Sequence, residues 1–312
     1  MPARYPFATS DFQKGRIDTY GKVWFVDSAH PQASNSPSHG AHPGTPWSTM
    51  HYANSRLGLE SPVRTNLGDV VVVAPRHVET VTAAAGLVLN VAGVKWFCPM
   101  AGRLMAQINF TTAVGADCNI DAANIWLENF RFTGGIDALT GPIDINAAYC
   151  VLKNILTEDV TGQVTDFIVT DANADNLLIS GWRHLGAAAV GADTAITIVG
   201  GDNITIEDFW IDGNFAVACI ENVTTAAVNL SVGGGHRMNY ARTRNAADVI
   251  FTAVATTTGN VGPNIFARLQ DNAANITEAF VGAAMQFYTP IGIVNADGER
   301  SLDWNGTQSA DV

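Results

Sequence analysis

The chain has 312 residues with 29 acidic against 17 basic side chains, a formal charge of −12 and a pI near 4.8, which argues against nucleic acid or an anionic membrane as partner because phosphate binding needs clustered cations. Hydrophobic residues make up 47% and charged ones 15%, yet no run of about 18 apolar residues is there to span a bilayer, so the chain reads as soluble. Length alone suggests about two domains at roughly 150 residues each, but a repetitive fold can continue as one.

In chain order, the opening "MPARYPFATSDFQKGRIDTYG" lacks the basic start and apolar run of a secretory leader. Residues 1–45 form an arm or loop, since "DSAHPQASNSPSHGAHPGTP" is rich in Pro, Ser, Gly and His and has no period. His39 and His42, with His30 and His51 nearby, do not match a standard metal-ligand spacing. In "PWSTMHYANSRLG", Ser48 or Thr49 can cap a short helix. "GDVVVVAPRHVETV" then gives a continuous β-branched run at 70–73 after a Gly-Asp turn. A helix laid over the open end of a stack of strands would protect its edge from other chains.

From residue 124 the chain repeats itself. "NIWLENFRFTGG" at 124, "YCVLKNILTED" at 149, "NLLISGWRHLG" at 176 and "NITIEDFWIDGN" at 203 share one pattern, with "AVNLSVGGGHR" at 227 as a degraded relative. The steps of 25, 27, 27 and 24 residues point to a solenoid whose units bury their apolar faces on one another. Second and fourth positions are apolar (Ile125 and Leu127, Cys150 and Leu152, Leu177 and Ile179, Ile204 and Ile206, Val228 and Leu230). Period two is the pleat of a strand. The sixth position reads Asn129, Asn154, Gly181 and Asp208, the residue types that most readily take a left-handed backbone. These four are structural turns, after which Phe130 and Phe132, or Phe209 and Ile211, return as a second strand. Strand, left-handed bend and strand at this period predict an all-β, single-stranded right-handed parallel β-helix with a short N-terminal capping helix and irregular terminal arms. The expected divisions are an arm at 1–45, the capped β-helix at 46–290, with coils from about 69, and a tail at 291–312.

Chemistry-bearing motifs are scarce. Cys98, Cys118, Cys150 and Cys219 lack paired metal spacing and read as buried thiols of a protein made in a reducing compartment. The sequons at Asn109, Asn203, Asn222, Asn229, Asn275 and Asn305 then reflect strand and turn composition. "GGGH" at 233–236 lacks the Lys of a phosphate loop, no nucleophile elbow is present, and no cofactor or metal is expected. A β-helix glycosidase needs two carboxylates about 5–5.5 Å or about 6.5–9.5 Å apart. The matching outward acids Glu128 and Glu207 stand three coils apart, roughly 14 Å. Glu158 with Asp159, Glu207 with Asp208, and Asp212 are the remaining pairings, and strand ends and turns explain those positions more simply.

The run from "WFVDSAHP" through "GTPWSTMHYA", "GDVVVVAPRHVETVTAAAGLVLNVAGV" and the "NIWLENFRF" repeats, over residues 22–240, resembles the right-handed β-helix proteins of tailed bacteriophages. Where such openings usually continue Pro-Gly-His, this chain has Pro75-Arg76-His77. The resemblance implies a virion protein made in the host cytoplasm: a capsid-decorating or cementing homo-oligomer, by preference a trimer, whose arms contact the major capsid protein. The alternative is a tailspike- or fibre-like protein that binds or cleaves surface glycan. The third position of each repeat, Trp126, Val151 and Leu178, then Thr205, is the candidate self-association row.

Overall fold

The computed structural model describes residues 21–60, 68–160, 164–187, 192–244, 249–269, 280–288, 291–294 and 300–301. The outer parts of both arms, 1–20 and 302–312, lie outside these residues. The period-two segments form strands that wind into a parallel β-solenoid of about 7 turns. Each coil passes through three sheets. The first holds 10 strands, among them 70–73, 95–97, 126–128, 151–153, 178–180, 205–207 and 230–232. The second also holds 10, including 78–81, 130–134, 156–159, 183–185, 210–213, 239–243 and 265–269, and the third holds 8, including 143–145, 166–170, 192–198 and 215–222. Neighbours are parallel except for the final pair, 291–294 with 300–301. Within the segment read as an arm, "VWFV" at 23–26 pairs with 70–73 as the first strand of the first sheet, because its continuous apolar run buries both faces, Trp24 and Val26 in the main core and Phe25 in a smaller cluster with Val70, Val72 and Ala74.

Registration is strict in the first sheet, whereas the third has a register shift between Ala192 and Thr194. Trp126, Val151, Leu178 and Thr205 lie over one another, as do Leu127, Leu152, Ile179 and Ile206. The latter four are fully buried, each worth roughly 1.5–3 kcal/mol. Phe130, Phe132, Phe209 and Ile211 are buried from the second sheet.

The turns explain why the coils stay in register. Asn129, Asn154, Gly181 and Asp208 have φ of 65°, 51°, 72° and 52°. Each of the first three donates its N–H to the next coil, to the carbonyls of Lys153, Ser180 and Glu207 at 3.1, 2.8 and 3.2 Å. A second left-handed column stands at the first position of the repeat: Asn124, Tyr149, Asn176, Asn203 and Asn229, with φ of 61°, 60°, 56°, 57° and 60°. Two such corners therefore bracket each short strand of the first sheet.

That second column corrects the fifth repeat. The matching residue is Asn229, not Ala227, so the last step is 26 residues (203 to 229) rather than 24. Val228 is 52% exposed rather than inward, while Leu230 is fully buried and Thr205 lies over Ser231. The left-handed corner, and not apolar alternation, sets where a coil begins. Asn229 donates its side-chain amide to Asn203 at 2.9 Å, tying the two corners together.

The N-terminal end is closed by the helix α1, Met50–Glu60, which buries Met50, Ala53 and Leu57 on one face. Thr49 caps it, its hydroxyl accepting the Tyr52 N–H at 3.2 Å. Glu79 accepts the Met50 and His51 N–H groups at 2.9 and 3.2 Å and is itself held by His77 at 3.1 Å. His77 Nδ1 accepts the Ser28 N–H at 2.9 Å. Asp69 accepts the Lys22 N–H and the Trp24 indole N–H, and Trp24 stacks on Trp47 with centroids 5.0 Å apart. Arg76 has φ of 60°, so the turn is left-handed with an arginine where resembling openings carry glycine.

Gly181→Val combines strain with collision, because a Cβ there would lie 2.6 Å from the Asn154 side-chain oxygen. The expected cost is about 2 kcal/mol or more, read as a melting temperature several degrees below wild type. An unchanged melting temperature would remove the role assigned to this corner.

Candidate functional site

Glu128, Glu158, Asp208 and Asp212, along the first two sheets and the corner between them, are engaged locally. Glu128 accepts the Trp126 indole N–H at 3.1 Å and pairs with Lys95 at 2.8 Å. Its register partners lead through Lys153 and Ser180 to Glu207, three strand steps away, or roughly 14 Å. Glu158 pairs with Arg131 at 2.7 Å. Asp212 receives Arg242 through both nitrogens and Arg244 at 3.0 Å. Asp208 accepts the N–H groups of His236 and Arg237 at 2.8 and 2.7 Å, which folds "GGGH" against the preceding corner. Asp159 is pushed up to about 6 by burial. It accepts the Ala187 N–H at 3.0 Å and packs beside Gly134.

The row Trp126, Val151, Leu178 is in register but half-buried. Lys95 and Lys153 stand 4.6 and 5.7 Å from the Trp126 ring centroid. The row is thus a screened cation–aromatic surface. A more exposed one lies on the second sheet, where Trp210, Tyr240 and Phe266 occupy successive strands in register. Their ring centroids are 5.6 and 6.1 Å apart, and the Arg183 guanidinium sits 4.6 Å over Trp210, which is 46% exposed. Sequence reasoning missed this row because it followed the corner signature, which fades after residue 214. The signal was the doublet Tyr240-Ala241-Arg242 and Phe266-Ala267-Arg268.

The third sheet is acidic outside. Asn146 donates to Asp121 at 2.9 Å and to Asp144 at 3.1 Å, bridging the two. Burial, and then the like charges of Asp171 and Asp121, push the Asp144 carboxyl up. Farther along, Asp166 accepts the hydroxyls of Thr194 and Thr197 at 2.9 and 3.0 Å. Asp166 and Glu221 are both raised, first by burial, with Asp193 adding repulsion to each. Near the C-terminal coils, Asn229, Thr258, Asn260, Gln286 and Tyr288 line an open polar depression of about 430 Å³.

His30 and His42 accept the backbone N–H groups of Gln32 and Gly44 at 3.1 and 2.9 Å. All four cysteines are buried and unpaired, and burial raises their thiols. His184 also points into the core, 2.8 Å from the Thr157 hydroxyl, which accepts the Trp182 indole N–H at 2.9 Å. No known protein family, curated protein or solved structure matches the chain.

Burial lowers His184 to about 3, against roughly 6.5 in an unfolded chain. The unfolded state then binds more protons between these values, so this group's contribution is present above pH ~6.5 and is lost as pH falls toward 3. Asp159 acts in the opposite sense, since its raised carboxyl favours the fold at low pH. The comparison is therefore between wild type and His184→Gln at each pH. The wild-type melting temperature should fall more steeply from pH 7 to pH 4, and parallel curves would rule the histidine out.

Proposed function

We propose that the protein is a non-catalytic structural component of a bacteriophage virion, a homo-oligomer, read as a trimer, that decorates or cements the capsid through the major capsid protein. The observation that supports this is the use of four acids along the first two sheets. Glu128, Glu158, Asp208 and Asp212 are committed to ion pairs and backbone N–H groups, while aromatic, apolar and arginine side chains face outward in register. Such rows are suited to association. The phage setting comes from the resemblance of the opening segment, whose Trp24, Trp47, Asp69, His77 and Glu79 close the capped end.

A second reading, a tailspike- or fibre-like protein that binds or cleaves surface glycan, is favoured by one feature. Asp121 and Asp144 share the Asn146 amide, and Asp144 is raised, as one member of a carboxylate pair acting as an acid would need to be. The first reading predicts that the protein co-sediments with shells of the phage's major capsid protein and releases no reducing ends from host surface polysaccharide. Reducing ends whose release is lost in Asp144→Asn would establish the second reading in its place.

A further inference from the structure

The row on the second sheet is unusual for a chain of charge −12. Arg183, in register with Trp210, and Arg268 are exposed, while Arg242, in register with Arg268, is paired with Asp212 of the preceding coil. Between them run Trp210, Tyr240 and Phe266. Tryptophan, tyrosine and arginine are the residue types that dominate the binding energy of protein interfaces. An arginine-flanked aromatic row calls for an anionic partner surface.

Such a surface exists on the same molecule, one side further round the coil. Asp193 follows Arg183 within one coil, on strand 192–198 of the third sheet, and Glu221 follows Trp210 within the next, on strand 215–222. Asp166 precedes Asp193 by one coil and Glu221 by two. Their mutual repulsion contributes to the raised carboxyls of Asp166 and Glu221, which an opposing cation would relieve. A ring of copies whose axis is parallel to the solenoid brings equal levels of neighbouring chains together. Height along the coil therefore decides which groups can meet, and Arg183 with Asp193 and Trp210 with Glu221 satisfy it.

We infer that the second-sheet row around Arg183 and Trp210 of one copy docks on the third-sheet acids Asp193 and Glu221 of the next, a head-to-tail contact that closes a ring. The inference rests on the homo-oligomer reading and names its contact. Head-to-tail contacts that close give cyclic assemblies. A polyanion such as nucleic acid or an acidic glycan fits the row less well, because the adjoining acidic face would repel it.

The test measures the mass of the full chain by light scattering, with circular dichroism as a folding control. Wild type should give a multiple of the 33.0 kDa chain mass, decreasing as salt is raised. Arg183→Glu and Asp193→Arg should each shift the mass to that of the monomer. The chain carrying both changes should recover the wild-type mass, since every contact again joins opposite charges, and this recovery excludes misfolding as the cause. Trp210→Ser should also give monomers, whereas Trp126→Glu with Leu178→Glu should leave the mass unchanged. A wild-type oligomer that the Arg183 and Asp193 variants leave intact, or that only the Trp126 and Leu178 pair dissociates, overturns the contact and leaves the homo-oligomer reading standing. A wild type that is monomeric at every concentration overturns both. If that monomer's tryptophan fluorescence responds to an acidic polysaccharide or to single-stranded nucleic acid, the row belongs to that polymer instead.

Discussion

Each coil must lie on the next at one strand spacing, ~4.8 Å, and every other feature of the molecule follows from that constraint. A backbone repeating at this distance can keep all its N–H and C=O groups paired only if the chain bends at the same place in every coil. The bend must also leave its own N–H pointing along the stack. A left-handed single-residue corner does both, and the chain supplies two per coil, at Asn129, Asn154, Gly181 and Asp208 and at Asn124, Tyr149, Asn176, Asn203 and Asn229. Asparagine suits such a corner twice over: it tolerates positive φ, and its amide can hydrogen-bond to the corner next door, as Asn229 does to Asn203. Tyr149 has only the strained backbone, a cost of about 1–3 kcal/mol, offset by the pairing around it.

The same stacking rule governs the interior. A residue inside one coil touches its register partners above and below, so a polar group there can be completed by a neighbouring coil. Thr157 from one coil serves both Trp182 and His184 of the next. The His184 ring otherwise meets Phe167 and Phe215 at 5.5 and 5.6 Å. A charged imidazole would have no compensating partner in that setting. The histidine is thus a neutral packing element that happens to carry a proton site, like the four buried cysteines.

How much of this was legible in the sequence depends on which physical signal each part leaves. Alternation and the Asn129-to-Asp208 column are local signals, and they suffice for the fold class and for the inward face. The start of the fifth coil was misplaced by two residues because Val228 mimics an inward apolar position, while the deciding feature, the backbone at Asn229, leaves only an asparagine to mark it. The strand at 23–26 has no repeat to align with, and its partner lies 47 residues on, across the helix. The Trp210, Tyr240 and Phe266 row is a property of register in coils where the corner signature has worn away. The acids that sequence spacing singled out lie on the first and second sheets and at the corner between them. The bridged pair Asp121 and Asp144 belongs to the third, which shares no aligned motif from coil to coil.

In-register stacking also sets what the outer faces can do. A single arginine or aspartate on a globular surface is a weak recognition element, since solvent and salt screen it. Repeated at the same position in successive coils, it becomes a row whose charges act together and whose rings pack on each other before any partner arrives, so less side-chain freedom remains to be lost on binding. The second sheet gathers arginines and aromatic rings, and the third gathers carboxylates that push one another's titration upward. Interspersing the two signs would relieve that repulsion at no cost to the coil, because outward positions are the least constrained in the repeat. The second sheet does so, pairing Glu158 and Asp212 with arginines, whereas the described strands of the third carry no Lys or Arg. The stability of the single chain does not explain that difference, and the proposed contact with the arginines of a neighbouring copy would.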